Sequence, residues 1–356
     1  MPRTIGLMSG TSLDGVDAAW LETDGIEVSA FGPALTLPYG QALRRDLREI
    51  LDLAPALAPD DSRLISAVER LTNYHVQAVK ALDRPADIIG FHGQTILHQP
   101  DLGRTWQVGD AAALARGTGI PVAFDFRSAD VAAGGQGAPL APIYHAALAD
   151  RLPKPVAVLN IGGVANVTWI GTSGDLIAFD TGPGNGPLDD WSARHTGQAF
   201  DKDGLLARSG RVDQGILRAL LSHPFFARPA PKSLDRLDFT RALEANGVAA
   251  LMPADGAATL AAFTVESIAR ALFPEPPKRW LVCGGGRRNP VIMQGLADRL
   301  GVPVQPVEAV GWNGDALEAQ CFGFLAARVS RGLPLSFPST TGVTSPTPGG
   351  QITFGH

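Results

Sequence analysis

In the N-terminal part of the chain, stretches whose hydrophobic residues have the spacing typical of strands alternate with stretches whose spacing is typical of helices. Residues 4–7 form a short apolar run, and a second apolar run begins after Asp14-Gly15, a pair typical of tight hairpin turns. Leucines then recur at helical spacing, with charged residues between them, over residues 40–57 and again over residues 62–83. The two runs therefore predict a hairpin, and the two longer stretches predict amphipathic helices.

The alternation continues through the rest of the chain and predicts an α/β fold. The predicted elements are, in order, a strand over 86–93 that enters a glycine loop, a strand, helix and strand over 105–126, two strands over 153–171, a strand over 176–180, a mainly helical region from 186 to about 275, a strand over 279–286 and a helix over 314–329. Asp110 and the Asn289-Pro290 pair are typical of helix starts. The residues from 333 onward are rich in Pro, Ser, Thr and Gly, and we expect them to be extended.

Length, charge and cysteine content narrow the class of protein. The chain has 356 residues, and a single core usually stops growing at roughly 250–300 residues, so we expect two domains with a cleft between them. The net charge is −5 without a run of Lys or Arg, which argues against a nucleic-acid partner. No apolar run approaches the roughly 20 residues of a membrane helix, and Cys283 and Cys321 form no CxxC pair. We therefore expect a cytoplasmic protein without membrane contact.

Glycine clusters are the most informative local feature of the sequence. The clusters lie at 134–137, 161–164, 182–187 and 284–286. Such turns can present backbone N–H groups to an anion, and the hydroxyls of Ser9, Thr11 and Ser12 would add donors in the first hairpin, so two turns could grip one triphosphate. Each cluster alone can equally be a simple turn. The sequence has neither GxxxxGK[ST] nor an opening GxGxxG, which excludes a P-loop and argues against a dinucleotide site.

A few side chains near these turns are candidates for chemistry. Asp180 follows an apolar strand and precedes the TGPGN turn, a position suited to a general base, although it could serve only to accept turn N–H groups. Arg127 is suited to a carboxylate or phosphate, or to a surface ion pair. Glu318 could be no more than a favourable charge at a helix N-terminus. His92 and His98 do not have the spacing of a zinc site, so we expect a structural or substrate-contact role.

Long sequence blocks, in order, resemble the signature blocks of the anhydro-N-acetylmuramic acid kinases. They are MSGTSLDGVDAAW, FHGQTILHQP, TWQVGD with FDFRSADVAAGGQGAPLAP, LNIGGVANVTWI, FDTGPGNGPLDDW, VCGGGRRNP and GDALEA. The resemblance runs from residue 5 to the FPSTTGVTSPTPGG tail and implies a two-domain actin-like ATPase (ribonuclease H-like) fold, with mixed sheets flanked by helices. We expect domain I to cover residues 1–130 plus about 335–356, and domain II to cover 131–334.

The resemblance also implies a reaction, in which ATP and water convert 1,6-anhydro-N-acetylmuramic acid into N-acetylmuramic acid 6-phosphate and ADP. It further implies Mg²⁺, a homodimer and a place in cell-wall sugar recycling. In the family pattern Asp180 is the catalytic base, and Asp14 or Asp17 would reach Mg²⁺ through water. The other implied positions are Gly10, Thr11, Ser12, Leu13, Asp14, Gly15, Val16, Asp17, Asn160, Gly162 and Gly163 for ATP phosphates, Gly284, Gly285 and Gly286 for the adenosine side, and Thr95, Arg127 and Glu318 for the sugar.

One segment departs from the family pattern, and two other functions stay open. Leu234-Asp235 stands where the family pattern has Thr-Gly, which leaves the local conformation of that loop unpredicted. The first alternative function is a kinase of the same fold that phosphorylates an ordinary N-acetylhexosamine without ring opening. The second is a nucleotide-switched binding protein of the actin or Hsp70 type. Asp180 argues against the second, because a switch does not need a base at that position.

Overall fold

The computed structural model describes residues 1–10, 12–234 and 238–355, except the side chain of residue 238. The described chain divides by packing into two compact units, the first formed by Met1–Asp150 with Ala316–His356 and the second by Arg151–Asp315. In this division residues 131–150 and 316–334 group with the first unit. The functional domain boundaries expected from the sequence stay a prediction.

Strands and helices alternate along most of the chain. The strands are β1 Arg3–Ser9, β2 Gly15–Thr23, β3 Val28–Pro38, β4 Ile88–Gln99, β5 Arg104–Val108, β6 Val122–Phe124, β7 Val156–Ile161, β8 Val164–Ile170, β9 Leu176–Pro183, β10 Trp280–Cys283, β11 Val304–Pro306 and β12 Gln351–Thr353. The helices are α1 Gln41–Leu53, α2 Ser62–Leu82, α3 Ala111–Thr118, α4 Ser128–Ala132, α5 Pro142–Leu148, α6 Gly186–Thr196, α7 Leu205–Ser209, α8 Gln214–Leu221, α9 Asp238–Ala245, α10 Pro253–Ala269, α11 Pro290–Leu300, α12 Leu317–Ser330 and α13 Pro338–Thr341. Within the described residues, no helix has the length and apolar character needed to span a membrane.

The first unit is built on a mixed sheet. Its described strands follow the order β12, β6, β4, β1, β2 and β3, and β5 pairs with β4. β2 runs antiparallel to both β1 and β3, whereas β4 runs parallel to β1 and β6. The leucines that predicted the first two helices, such as Leu47 in α1 and Leu71 in α2, are buried in one core cluster with Ile5 and Leu7 of the central strand. The amphipathic pattern therefore reports the face of each helix that meets the sheet.

Two glycines of this sheet let the backbone of α12 come close to it. Gly6 in β1 and Gly90 in β4 are paired in register. A Cβ on Gly6 would lie 1.7 Å from the carbonyl oxygen of Ala319, and one on Gly90 would lie 1.9 Å from that of Phe322. No side chain larger than hydrogen fits at either position without moving the helix. This close packing fixes the distance between α12 and the first sheet. It thereby also fixes the position of Glu318, which lies in α12.

The second unit also contains a mixed sheet, with the described strands in the order β11, β10, β7, β8 and β9. β7, β10 and β11 run parallel, and β8 is antiparallel to β7 and β9. Helix α10 is buried along most of its length, with Phe263 and Ile268 fully inaccessible in the core. The predicted α/β class with mixed sheets and flanking helices is confirmed.

Several predicted elements end elsewhere in the structure. The strand expected over 86–93 continues to Gln99, because β5 pairs antiparallel with its second half and keeps the chain extended beyond Gly93. The strand expected over 176–180 continues to Pro183, because β8 pairs with it past a register shift. The C-terminal tail is not simply extended, since it contains α13 and β12. Pairing with the adjacent strand of a hairpin extended β4 and β9, and pairing with the distant β6 formed β12.

Candidate active site

The first hairpin presents a short loop between β1 and β2 that is tied down by one buried residue. Leu13 has a φ of +58°, is fully buried, and its N–H donates to the Gly10 carbonyl oxygen at 3.1 Å. Gly15, the first residue of β2, is also tightly packed, since a Cβ on it would lie 2.4 Å from the Leu37 carbonyl oxygen. The Leu13 side chain is therefore hidden from a phosphate, and its N–H is already bonded within the loop. Thr11 lies outside the described residues.

The hydroxyl of Ser9 does not point to a ligand, contrary to the expectation that it would add a donor for phosphate. It donates to Gln94 Oε1 at 2.5 Å, and it lies 2.7 Å from the Tyr39 hydroxyl, which is left to donate to it. Gln94 in turn donates from Nε2 to the Thr95 carbonyl oxygen at 3.2 Å. Ser9 is 1% exposed. The hydroxyl thus links the hairpin to β4 inside the first unit.

The first hairpin carries the two carboxylates, Asp14 and Asp17, that the resemblance places near Mg²⁺. Asp14 is largely exposed and pairs with Arg44 at 3.2 Å, while Asp17 accepts from the Thr36 hydroxyl at 2.6 Å. Across the described part of the chain, no group of three His, Cys, Asp or Glu residues is placed to hold a metal. Mg²⁺ commonly uses one or two carboxylates together with water and substrate phosphates, so a closed protein cage is not required. The donor set of Asp14 and Asp17 fits that kind of site.

The predicted sugar contacts of the first unit come from three different elements. Thr95 lies in β4, where its hydroxyl accepts from Gln107 Nε2 at 3.2 Å. Arg127 follows β6 and donates from Nε to His92 Nε2 at 3.1 Å. Glu318 lies in the first turn of α12, and its charge counters the effect of burial, which lowers the pKa of Arg127. The structure therefore brings Arg127 into electrostatic reach of Glu318 and places it against β4.

The second glycine hairpin lies between β7 and β8 in the other unit. Gly163 is exposed, and a Cβ there would meet no atom within 4 Å, while a Cβ on Gly162 would make only an ordinary contact with the Val164 carbonyl oxygen. Gly184, by contrast, packs so closely that its Cβ would lie 2.2 Å from the Gly162 carbonyl oxygen. The backbone of the hairpin tip is thus open to a ligand although its base is tightly packed.

The triple glycine lies directly beside the end of β7. Cys283 pairs with Asn160, so the loop that follows β10 begins level with this predicted phosphate contact. Gly284 has a φ of +75°, and a Cβ on it would lie 2.3 Å from Asn160 Oδ1. A Cβ on Gly286 would lie 2.3 Å from the Ile161 side chain. The structure therefore brings the predicted adenosine-side and second phosphate-binding segments together.

Asp180 lies inside β9 rather than at its end, because the strand continues to Pro183. Its carboxylate accepts from the Leu234 N–H at 2.7 Å, and its own N–H donates to the Lys232 carbonyl oxygen at 2.9 Å. Desolvation raises the pKa of Asp180 to about 7, while the Leu234 N–H and the charge of Lys232 oppose the rise. A carboxyl group with this pKa is matched to proton transfer near neutral pH.

Asn166 is a site residue that sequence reasoning missed. It pairs with Asn160 on one side and with Asp180 on the other, so the three side chains lie in one row on one face of the sheet. The Asp180 N–H points away from β8, toward Lys232, which makes Asn166 and Asp180 a non-hydrogen-bonded pair with close side chains. No described side chain or backbone group hydrogen-bonds to the Asn166 carboxamide. Asn166 is recognised as a neighbour of Asp180 only from the pairing register of β8 with β9.

Arg287 was also missed, although it follows the triple glycine directly. Its side chain is 6% exposed and donates to the Gly284 carbonyl oxygen at 2.9 Å. It also pairs with Glu308 at 2.9 Å and with Asp315 at 2.8 Å. These contacts fasten the glycine loop to the end of the second unit. Sequence patterns could mark the glycines but not the distant carboxylates that hold Arg287.

The larger groove of the second unit, about 690 Å³, lies apart from all of these residues. It is bounded by α7, α8, α10 and α11, with Ala258, Ala261 and Gly295 among its small lining residues. None of the predicted catalytic, phosphate-binding or adenosine-side residues lines it. This groove therefore contains none of the predicted site residues, whereas the row of Asn160, Asn166 and Asp180 brings a predicted phosphate contact and the predicted base together.

Comparison with known proteins agrees with the sequence blocks. A family model described as anhydro-N-acetylmuramic acid kinase matches residues 2–355. The anhydro-N-acetylmuramic acid kinase of Acidiphilium cryptum (strain JF-5) is 62% identical over 350 residues, which cover 98% of this chain and 98% of that protein. The protein of the same name from Gluconobacter oxydans (strain 621H) is 56% identical over 356 residues, which cover 97% of this chain and 98% of that protein.

A solved structure of a ROK family glucokinase from Streptomyces griseus, in complex with glucose and AMPPNP, aligns with 92% of this chain and 99% of its own. Its sequence identity of 12% and TM-score of 0.40 are too low to carry an argument about this chain. The family model and the two relatives, which cover nearly the whole sequence, do carry one. The chain belongs to the anhydro-N-acetylmuramic acid kinase family and is an enzyme of the kinase class.

Proposed function

We propose that this enzyme uses ATP and water to convert 1,6-anhydro-N-acetylmuramic acid into N-acetylmuramic acid 6-phosphate and ADP. The observation that carries the proposal is the Asp180 carboxyl group, with one oxygen held by the Leu234 N–H and a pKa raised to about 7. A carboxyl group of this kind can accept a proton from water or from a sugar hydroxyl. The names of the relatives supply the anhydro sugar, whose bridge has to be opened by water before O6 can be phosphorylated.

In the proposed mechanism Asp180 removes a proton from water as the water oxygen forms a bond to the anomeric carbon C1. The bond between C1 and the bridging oxygen O6 breaks, and its electron pair stays on O6. O6 then attacks the γ-phosphorus in line, and the bond from that phosphorus to the oxygen bridging to the β-phosphate breaks, which releases ADP. The proton on Asp180 is returned to solvent. Asn166, beside Asp180 in the same row, is placed to hold the attacking water.

Backbone groups have a separate role in the proposal. The N–H groups of Gly10, Ser12 and Asp14 in the first unit and of Gly163 in the second bind phosphate oxygens, because such turns present several donors to one anion. The N–H groups of Leu13 and Gly162 already donate to the Gly10 and Val164 carbonyl oxygens. Mg²⁺, when it accompanies the nucleotide, spreads the negative charge of the phosphates, and Asp14 would hold it through water with Asp17 as the alternative. The loop of residues 284–286 contacts the adenosine part of ATP, and Arg287 keeps that loop in place through its bond to the Gly284 carbonyl oxygen.

Gly163→Ala should weaken ATP binding without weakening the fold. A Cβ at this position meets no protein atom within 4 Å, so the free energy of unfolding should stay within about 0.5 kcal/mol of the wild-type value. The same methyl group would stand where a phosphate oxygen approaches the backbone, and the Kd for ATP should rise about tenfold. Titration calorimetry and urea unfolding measure the two effects. Gly215→Ala, in α8, is the control for ATP binding only, and an unchanged Kd for Gly163→Ala would remove Gly163 from the phosphate site.

Lys232→Met should move the acidic limb of the pH profile to higher pH. The Lys232 ammonium lies 4.5 Å from the centre of the Phe225 ring, and its charge lowers the pKa of Asp180. Its removal should therefore raise that pKa further above about 7, and a base that must be ionised then works only at higher pH. The measurement is kcat/KM against pH, which reports the free enzyme. The exposed Lys202→Met is the control, and a limb that stays in place or moves to lower pH would contradict the role of Lys232.

The proposal is tested against its nearest alternative by ADP release measured in a coupled assay. Purified enzyme is given ATP and Mg²⁺ with either 1,6-anhydro-N-acetylmuramic acid or N-acetylglucosamine. The anhydro sugar should be turned over and the plain sugar should react poorly or not at all. Turnover of N-acetylglucosamine at an equal or higher rate would favour an ordinary hexosamine kinase and would overturn the proposal.

A further inference from the structure

Arg127 lies within electrostatic reach of Glu318 and Asp130, but both of its hydrogen bonds go to neutral acceptors. Its guanidinium donates from Nε to His92 Nε2 at 3.1 Å and from Nη1 to the Gly137 carbonyl oxygen at 2.7 Å. Both acceptors are neutral, and Nη2 has no hydrogen-bond partner among residues 1–10, 12–234 and 238–355. Arg127 is half-buried, and the charges of Glu318 and Asp130 act against the burial that lowers its pKa. Nη2 is therefore the part of the guanidinium that is left for an anionic ligand.

The protonation state of His92 follows from its two neighbours. Its Nδ1 lies 2.8 Å from the Gly93 carbonyl oxygen, which can only accept, so Nδ1 carries the hydrogen. The guanidinium Nε–H can only donate, so His92 Nε2 is the acceptor. The ring is 4% exposed and packs against Phe322 with centroids 4.4 Å apart. His92 is thus a neutral, immobile acceptor in a fixed tautomer, and burial agrees by holding its pKa well below the usual value.

The second acceptor of Arg127 is held just as firmly. The Gly137 N–H donates to Asp130 Oδ1 at 2.5 Å, and the Thr341 hydroxyl donates to Asp130 Oδ2 at 2.6 Å. Asp130 is 2% exposed, and both of its carboxylate oxygens accept hydrogen bonds from these neutral donors rather than from Arg127. Asp130 therefore positions the loop, and it acts on the guanidinium through its charge rather than through a hydrogen bond.

We propose that His92 is a positioning residue that aims Nη2 of Arg127 at the carboxylate of the sugar, and that this pair sets the preference for a carboxylate-bearing substrate. The inference rests on the proposed function, because the lactyl group of the anhydro sugar supplies that carboxylate. His92 touches no substrate atom in this account. Its neutral acceptor orients the guanidinium and leaves Nη2 for the ligand, whereas a carboxylate in its place would pair with Arg127 directly and compete with the ligand.

The test compares two sugars that differ only in the lactyl ether. Titration calorimetry with the full chain and no ATP gives the Kd for 1,6-anhydro-N-acetylmuramic acid and for 1,6-anhydro-N-acetylglucosamine, which lacks the carboxylate. The variants are His92→Leu, His92→Gln, His92→Asn, Arg127→Met and the His92→Leu/Arg127→Met double variant. His75→Leu is the matched control, because His75 is also buried in the first unit but bonds to the Leu71 carbonyl oxygen rather than to Arg127.

His92→Leu should weaken binding of the carboxylate sugar about 10- to 100-fold and change binding of the other sugar by less than about twofold. His92→Gln, whose amide oxygen can take the place of Nε2, should recover most of the loss, and His92→Asn, which keeps only the donor near Nδ1, should not. The double variant should bind no more weakly than Arg127→Met alone, because both changes remove one interaction. His75→Leu should leave the ratio of the two Kd values unchanged. If His92→Leu does not fold, the comparison of His92→Gln with His92→Asn carries the test.

An equal loss for both sugars, or additive effects in the double variant, would show that His92 only supports the fold and would overturn the inference. Equal wild-type affinity for the two sugars would also overturn it, since Arg127 would then hold no carboxylate, while ADP release with the anhydro sugar could still uphold the proposed reaction. Wild-type protein that binds neither sugar would overturn both the inference and the proposed function.

Discussion

Asp180→Asn should reduce kcat by about 10²–10⁴-fold, the usual contribution of a positioned general base, and leave the Kd for ATP within a few-fold of the wild-type value. The amide cannot take a proton from water, but it still fits the space and can still accept the Leu234 N–H. In the proposed mechanism the Asp180 charge acts on the reacting water and not on the nucleotide. Single-turnover rates and ATP titration separate the two effects.

Asp175→Asn is the matched control for that change. Asp175 directly precedes β9, the strand that contains Asp180, and it is exposed. The same carboxylate-to-amide change at this position should leave kcat within about twofold of the wild-type value. An Asp180→Asn enzyme that keeps even a tenth of the wild-type rate would remove Asp180 from the role of base.

Gly6→Ala should cost the first unit roughly 3 kcal/mol or more of unfolding free energy. The added Cβ would lie 1.7 Å from the Ala319 carbonyl oxygen and 2.4 Å from the Gly323 nitrogen, both of them backbone atoms of α12. Neither atom can rotate away as a flexible side chain would, so the helix or the strand has to shift. Because α12 carries Glu318, the shift should also raise the KM for the sugar in whatever fraction stays folded. Urea unfolding and steady-state kinetics measure these effects.

Gly10→Ala is the control within the same hairpin. A Cβ on Gly10 would approach only the Ser12 hydroxyl, at an ordinary 3.7 Å, so its unfolding free energy should change by less than about 0.5 kcal/mol. A Gly6→Ala protein as stable as this control would show that α12 does not lie as close to β1 as the structure places it.

Elements set by local signals were predictable from the sequence. Asp110 caps α3 by accepting from Ala113 N–H, and Asn289 caps α11 in the same manner, as the residue types indicated. The leucine spacing located α2 to within a residue of its ends. These features depend on side chains three or four positions apart, which a single sequence displays directly.

Features set by distant partners were not predictable from the sequence. The Ser9 hydroxyl was expected to face a phosphate, but Gln94 and Tyr39 occupy it. The row that contains Asp180 and Asn166 depends on the register of β8 against β9, which no local pattern encodes. Asp235, in the segment that departs from the family pattern, lies outside the described residues. The homodimer implied by the resemblance stays a prediction.

The central claim is that one enzyme opens the anhydro bridge with water and phosphorylates the freed O6. Product analysis by mass spectrometry, after turnover of ATP and 1,6-anhydro-N-acetylmuramic acid in ¹⁸O-labelled water, tests both halves together. Samples are compared with unlabelled product kept in the same water, which corrects for spontaneous exchange at C1. The account predicts N-acetylmuramic acid 6-phosphate with one solvent oxygen at C1 and unlabelled phosphate at O6. A phosphorylated sugar that keeps its anhydro bridge, or solvent oxygen found in released inorganic phosphate instead of in the sugar, would contradict it.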